Sequence, residues 1–319
     1  MENKYKPKIA VILANLGGPD SINAVRPFLF NLFYDRAIID LPNPFRFLLA
    51  HWISLTRLSK AKGIYSQMGG KSPILKNTLE QAKCLKAALE SDYQVIVLPM
   101  MRYWRPRAQD VLDVLNVFKP EKIVLLPLYP QFSTTTTKST LDEWSTIGKN
   151  WQTKTKILSN HYNDPDFIKA HQELIKPILV DAHSYGNPKI LFSAHSLPQK
   201  VIDGGDPYQT QIEESVRFIM DAFSGVDYVV CYQSKVGSLK WLEPTIDAEL
   251  QKSAFEQRPV VVVPISFVSE HSETLVELDI DYANKAKLLG IPFYGRVPAL
   301  AKHPAYIKCL ANAVKNLVG

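Results

Sequence analysis

Short apolar runs alternate with helix-like segments along most of the chain. The apolar runs are continuous, as in buried parallel strands, and predict strands at 9–16, 93–99, 122–128, 155–158, 189–192, 228–232, 260–267 and 292–294. Helical periodicity between them predicts helices at 21–33, 106–118, 166–180, 207–223 and 271–288, and one from 304. Strands that alternate with helices predict an α/β fold, in which helices cover both faces of parallel sheets.

The length of the chain favours two such units. With 319 residues it is long enough for two modest hydrophobic cores. We place the crossover in the polar, threonine-rich stretch 133–139. The predicted domains are 1–137, joined by the C-terminal helix 298–319, and 138–297.

One segment, residues 28–58, breaks the alternation. It concentrates large apolar side chains, namely Phe28, Leu29, Phe30, Leu32, Phe33, Ile38, Ile39, Phe45, Phe47, Leu48, Leu49 and Trp52. Arginines are interleaved with them at positions 26, 36, 46 and 57. The segment is either an ordinary helix pair packed on its domain or an apolar lip that meets a membrane or a flat hydrophobic ligand.

Composition indicates which kinds of partner the protein binds and in which compartment it works. The net charge of +6 is spread along the chain, which fits small anions or an acidic membrane surface better than nucleic acid. Cys84, Cys231 and Cys309 lie far apart, so we expect neither a disulfide framework nor a cysteine metal site. No secretory segment and no apolar stretch of about 18 residues is visible. We therefore expect a cytoplasmic protein.

Two polar clusters follow directly on predicted strands. His195 comes just after the strand at 189–192, and the cluster 269–275 comes just after the strand at 260–267. Ligands of open α/β sheets bind at the carboxyl ends of the strands. A histidine there can exchange a proton or bind a metal near neutral pH.

Carboxylates recur at regular spacing in the second cluster. Glu273, Glu277 and Asp281 are four residues apart and Glu270 leads by three, so a helix would align them on one face. They form either a solvated acidic face or a file that conducts metal ions or protons to a site shared with His195. Nitrogen and carboxylate ligands suit divalent iron, cobalt or zinc.

Several motifs occur together in one order along the chain. They lie at 15–19, 65 with 69–74, 102–103, 129–133, 192–198, 205–208, 233–237 with Trp241, and 264–267 through 273–275. In sequence and order they resemble the ferrochelatase family, enzymes that insert ferrous iron into a porphyrin to make haem. The resemblance implies two Rossmann-like, doubly wound domains of the chelatase type.

The resemblance also implies roles for the polar clusters. His195 matches the family's active-site histidine, which is discussed as a proton acceptor from the pyrrole nitrogens, as a metal ligand, or as both. Glu273 matches the carboxylate opposite it. Glu270 and His271 match a pair associated with metal entry or proton removal, and Glu277 and Asp281 match the acidic file behind them.

A porphyrin cleft is implied in the same way. The residues that match its aromatic walls are Tyr65, Trp241 and Phe267. Those that match groups near the propionates are Arg57, Lys60 and Ser234. Arg102 and Tyr103 match a pair that faces the porphyrin from the other side.

The resemblance further implies that iron is a substrate and that no cofactor is permanently bound. Some family members hold a two-iron two-sulfur cluster through cysteines in the loop after 129–131 and in a C-terminal extension. Here that loop, 133–137, contains only serine and threonine, Cys309 stands alone, and the chain ends at Gly319. We expect no iron–sulfur cluster.

The family has an apolar lip that guides a sparingly soluble porphyrin in and haem out at the membrane surface. The resemblance of segment 28–58 to this lip implies protoporphyrin IX, with two propionates, rather than coproporphyrin III, with four. A chelatase for sirohydrochlorin, inserting cobalt or iron, is an alternative that predicts a more basic and less aromatic cleft. A non-catalytic porphyrin or haem carrier is another, but it would not need the acidic file. We expect a monomer that is peripheral on the inner membrane and binds no nucleic acid.

Overall fold

Two compact units make up the computed structural model, which describes residues 5–235, 237 and 239–319. The first comprises the described residues up to Tyr129 with 133–160 and 307–319, and the second comprises 130–132 and 161–306. The predicted domain limits at 137/138 and 297/298 stay a prediction, because compactness does not by itself define a domain that folds alone.

The first unit contains a parallel sheet in the order β2-β1-β3-β4. Its strands are β1 (Lys8–Asn15), β2 (Gln94–Met101), β3 (Lys122–Pro127) and β4 (Thr155–Ile157). Its helices are α1 (Val25–Phe33), α2 (Phe45–Thr56), α3 (Leu58–Gln67), α4 (Ile74–Leu89), α5 (Ala108–Phe118) and α6 (Thr137–Ile147), with 3₁₀ turns at Ile22–Ala24 and Lys149–Lys154. Val11 of β1 lies between Val97 and Val124, and such a central strand is buried on both faces.

The second unit contains another parallel sheet, in the order β6-β5-β7-β8. Its strands are β5 (Lys189–His195), β6 (Asp227–Gln233), β7 (Val260–Pro264) and β8 (Tyr294–Arg296). Its helices are α7 (Pro165–His183), α8 (Gln199–Asp203), α9 (Tyr208–Met220), α10 (Ile246–Phe255), a π-helix (Glu273–Tyr282) and α11 (Ala283–Leu288), and α12 (Pro304–Val318) begins in it. The predicted α/β class with parallel sheets is confirmed.

The order of the second sheet explains where its polar residues collect. From β5 the chain passes to β6 on one side and then to β7 on the other, so the topology reverses between β5 and β7. A crevice opens at such a switch point, outside the carboxyl ends of the strands. His195 ends β5, and the 269–275 cluster follows β7.

Local structure departs from the predicted elements at several points: β5 runs on to His195, and the helices α4 and α10 were not predicted. The strand predicted to reach Phe267 ends at Pro264, where the proline has no N–H to continue the ladder. The helix predicted from Pro106 begins at Ala108, because Arg107 is extended and Asp110 accepts a hydrogen bond from its backbone N–H. The helix predicted over 271–288 is π-helical from Glu273 to Tyr282. None of the described helices is long and apolar enough to cross a membrane.

Candidate active site

His195 is held by its backbone at the end of β5. Its N–H donates to Ser266 Oγ at 3.3 Å, and its carbonyl accepts from the Tyr208 hydroxyl at 3.1 Å. The side chain remains 38% exposed. A fixed backbone with an accessible ring is the arrangement that a proton acceptor or a metal ligand requires.

Glu273 is the direct partner of this ring. His195 Nδ1 lies 2.8 Å from Glu273 Oε2, at the start of the π-helix. Gln233 fixes that helix end, because its Nε2 donates to the Glu273 carbonyl at 2.9 Å while its Oε1 accepts from Ser193 Oγ at 2.6 Å. The carboxylate occupies Nδ1, so Nε2 is the nitrogen left for a proton or a metal.

Ser234 connects Glu273 with the next carboxylate of the file. Its hydroxyl lies 3.2 Å from Glu273 Oε2 and 2.5 Å from Glu277 Oε2, and its N–H donates to Glu277 Oε1 at 3.1 Å. Ser234 adopts a left-handed backbone, with φ of +63°. The implied propionate contact of Ser234 stays a prediction, and the described bonds of its hydroxyl go to carboxylates.

Charge and burial set different protonation states in this cluster. Burial alone would lower the pKa of His195, but the Glu273 carboxylate outweighs it and raises that pKa. Burial alone would raise the pKa of Glu273, but the charge and hydrogen bond of His195 hold it well below its usual range. Burial and the neighbouring Glu273 charge raise the pKa of Glu277. Glu273 is therefore the ionised partner of His195, and Glu277 is the carboxyl that holds a proton more readily.

The rest of the acidic file lies in different surroundings. Asp281 is exposed near the far end of the π-helix. Glu270 Oε1 accepts from Arg296 Nη1 at 2.7 Å and from the Ala299 N–H at 2.9 Å. Burial alone would raise the pKa of Glu270, but the Arg296 charge lowers it. A role for Glu270 in metal entry stays a prediction.

His271 is a buried neighbour of the site. Its Nδ1 lies 3.1 Å from the Ser269 carbonyl, and its ring packs against Phe267 with centroids 4.6 Å apart. Burial lowers the pKa of His271, so the ring is neutral at physiological pH. Its predicted part in proton removal is not tested by these contacts.

Trp241 lies beside the segment that follows His195. Trp241 forms an isolated antiparallel β-bridge with Pro198, and the Leu242 N–H donates to the Leu197 carbonyl at 3.0 Å. Val236, within the motif at 233–237, lies outside the described residues.

The other residues matched to the cleft belong to the first unit. Tyr65 is buried edge-to-face against Phe28, the Arg57 guanidinium lies 5.6 Å from the Phe33 ring centre, and Lys60 is exposed. The contacts of these three residues leave their implied roles as predictions.

Asp35 organises the pair Arg102 and Tyr103, and sequence reasoning missed it. Its Oδ2 accepts from the Tyr103 hydroxyl at 2.7 Å and lies 2.8 Å from Arg102 Nη2. Arg102 Nε also donates to Ser139 Oγ at 2.8 Å. Asp35 and Asp40 are the two acids of the aromatic-rich segment 28–58, which was the available signal, but the partners of Asp35 are distant along the chain.

His195 and Glu273 are the metal ligands that the sequence predicts. Among the residues that the structure describes, no three histidine, cysteine, aspartate or glutamate side chains are grouped to hold a metal ion. A metal bound at His195 Nε2 would lie on the far side of the ring from Glu273 and keep most of its coordination positions open, and Glu273 could bind it only by giving up the contact with Nδ1. So open a site suits an ion in transit, and the imidazole can also act as a base.

Comparison with known proteins gives consistent similarities over nearly the whole chain. The Ferrochelatase family model matches residues 8–317. A ferrochelatase of Wolbachia sp. subsp. Drosophila simulans (strain wRi) is 52% identical over 316 residues, which cover 97% of this chain and 99% of the relative. One from Rickettsia bellii (strain OSU 85-389) is 43% identical, with 99% of this chain and 89% of the relative covered.

Solved structures share the fold at low sequence identity. SirB from Bacillus subtilis with Fe3+ superposes with a TM-score of 0.56 at 14% identity, covering 76% of this chain and 90% of that one. CbiX, described as the terminal enzyme of sirohaem biosynthesis in denitrifying bacteria, superposes with a TM-score of 0.51 at 10% identity, covering 98% and 100%. At such identities the likeness is one of fold alone.

Proposed function

The chain belongs to the ferrochelatase family and is an enzyme that inserts ferrous iron into a porphyrin, and from this premise we propose that His195 takes the pyrrole protons while Glu273 stabilises the resulting imidazolium. The observation that carries the proposal is the 2.8 Å contact between His195 Nδ1 and Glu273 Oε2 at the switch point of the second sheet.

The imidazole has to be neutral before it can act. Insertion removes two pyrrole protons, and a neutral imidazole with Nε2 free can accept them one at a time. Glu273, with its lowered pKa, is ionised at rest and stabilises the cation, and it takes the Nδ1 proton only while passing it on to Ser234. Protonated His195 would repel an incoming divalent ion, so each proton must leave before or as iron arrives.

Ser234 and Glu277 offer the exit for that proton. The Ser234 hydroxyl lies within hydrogen-bond distance of both carboxylates, and the raised pKa of Glu277 makes it the better proton holder. Asp281, exposed farther along the same helix, would pass the proton to solvent. A porphyrin bent out of plane presents its nitrogen lone pairs to both the base and the metal.

We take protoporphyrin IX and ferrous iron as the substrates, with no permanently bound cofactor and no iron–sulfur cluster. We further propose that the enzyme is a cytoplasmic monomer. Anaerobic insertion assays with purified protein should give metalloporphyrin fastest with protoporphyrin IX. Faster turnover of coproporphyrin III or sirohydrochlorin would contradict the choice of protoporphyrin IX as substrate. If none of the three porphyrins gave product above the blank, the proposal of enzymatic metal insertion would be rejected.

A membrane-facing role for the apolar segment is supported by α2. Phe45, Leu48 and Trp52 are 64%, 62% and 62% exposed, and with Leu55 they follow the spacing of one helix face. An exposed apolar face with a tryptophan, beside arginines, suits the interface of an anionic bilayer. We propose peripheral attachment to the inner membrane through α2.

Vesicle flotation tests this attachment. The double variant Leu48→Ser/Trp52→Ser should bind phosphatidylglycerol-containing vesicles at least about tenfold more weakly, because two large apolar side chains no longer leave water. Val117→Ser, at an 84% exposed apolar residue on α5, is the matched control and should bind like the wild type. Equal binding by all three proteins would contradict the proposal.

A further inference from the structure

The π-helix that carries Glu273 and Glu277 needs outside support. It runs for ten residues, from Glu273 to Tyr282, whereas π-helical segments are usually single turns inside α-helices. Relaxation to an α-helix, with about 100° per residue, would rotate later side chains around the axis relative to Glu273. Groups outside the helix must therefore favour the wider turn.

Arg296, the last residue of β8, contacts this segment at two places. Its Nε and Nη2 lie 2.6 and 2.5 Å from the two carboxylate oxygens of Asp279, in the second half of the π-helix. Its Nη1 lies 2.7 Å from Glu270 Oε1, three residues before the helix begins. A guanidinium forms such a two-pronged pair with a carboxylate and keeps a donor for a second one.

The contacts of Arg296 with Asp279 and Glu270 are largely shielded from water. The Arg296 side chain is only 10% exposed, and Glu270 Oε1 also accepts from the Ala299 N–H. Tyr294, two residues earlier on the same strand, donates its hydroxyl to the Leu278 carbonyl at 2.8 Å. The short strand β8 thus contacts the segment just before the π-helix and the second half of that helix.

We propose that Arg296 is a positioning residue for iron insertion, because it ties Glu270 and Asp279 to β8 and so keeps Glu273 and Glu277 in register with His195 and Ser234. Only the expected effect of Arg296 on turnover rests on the proposed function. The effect on the helix itself is independent of any activity.

Arg258 provides a matched control in the same unit. Its guanidinium lies 2.7 Å from Asp227 Oδ2 and also donates to the carbonyls of Asn187 and Pro188. Its side chain is 18% exposed, and it precedes β7 at the amino ends of the strands, opposite the edge that carries His195. Replacing it removes a comparable clamp without touching the site.

The experiment compares Arg296→Lys with Arg258→Lys. Lysine keeps the charge but cannot bind Asp279 through two donors and Glu270 through a third. For Arg296→Lys we expect kcat for iron insertion to fall about tenfold or more with the porphyrin KM within about twofold, as when a partner of a metal-site side chain is removed. Backbone amides of 274–282 should exchange hydrogen faster. Arg258→Lys should show neither change at a similar loss of thermal stability.

Asp279→Asn is the milder variant if Arg296→Lys does not fold. It leaves the Arg296–Glu270 contact and should give an intermediate loss of kcat with faster exchange in 274–282. Unchanged exchange in 274–282, or a kcat no lower than that of Arg258→Lys, would overturn the proposal. If the wild-type protein inserts no iron but Arg296→Lys still exchanges hydrogen faster than the wild type in 274–282, the proposed function is rejected and the positioning of the π-helix by Arg296 stands.

Discussion

The Ser234 hydroxyl holds two carboxylates of the site at once, so its removal should cost both stability and turnover. A hydrogen bond to a charged group contributes about 1.5–3 kcal/mol. The Glu273 side chain is 24% exposed, so water replaces part of the lost bond and the lower end applies. We therefore expect Ser234→Ala to lower the free energy of unfolding by about 1.5 kcal/mol.

The backbone at Ser234 makes a second variant informative. With φ of +63°, any residue other than glycine bears a left-handed strain of about 1–2 kcal/mol. Ser234→Gly loses the same hydroxyl but relieves that strain, so it should be more stable than Ser234→Ala by about 1 kcal/mol. Denaturant midpoints at equal slopes measure both differences.

Kinetics then separate the two roles open to Ser234. If the hydroxyl bridges Glu273 and Glu277, both variants should lose kcat alike while the porphyrin KM stays unchanged. A raised porphyrin KM with intact kcat would refute the bridge and favour a propionate contact. An alanine variant as stable as the glycine variant would refute the strain estimate.

Two further predictions concern pH. Because the pKa of His195 is raised, kcat/KM for iron should rise with pH through an acid limb that lies above the ordinary histidine pKa of about 6.5. Glu273→Gln should move that limb to lower pH. A limb that does not move would contradict the pairing of His195 with Glu273. Burial lowers the pKa of His161 to about 3, so the unfolded chain takes up a proton below about pH 6.5 that the folded chain refuses, and stability falls by about 3 kcal/mol by pH 4. His161→Gln should therefore lose less stability between pH 6.5 and pH 4 than the wild type when acid unfolding is followed by circular dichroism. The control His183→Gln, at an exposed site, should unfold like the wild type. Equal unfolding curves for both variants would reject His161 as a source of acid sensitivity.

The strands could be predicted because their apolar runs are local and continuous. Residues 189–192 and 260–264 are buried on both sides of their sheet, and a run of β-branched and aromatic residues indicates this directly. The placement of His195 near Glu273 followed from the rule on strand ends, and the 2.8 Å contact agrees with it.

What sequence could not predict depends on contacts between distant residues. A four-residue spacing of Glu273, Glu277 and Asp281 does not distinguish an α-helix from a π-helix. Nothing near Arg296 in the sequence indicates that it reaches Glu270 and Asp279. These features arise when β8 is placed beside the helix, which is a tertiary event.

The rate of iron insertion by His195→Gln tests the central claim most directly. The variant is mixed anaerobically with ferrous iron at saturating protoporphyrin IX, and porphyrin binding is followed separately by quenching of tryptophan fluorescence. If His195 is the base at the porphyrin face, insertion falls to the uncatalysed rate while quenching persists and His183→Gln keeps wild-type turnover. Wild-type turnover by His195→Gln would contradict the claim.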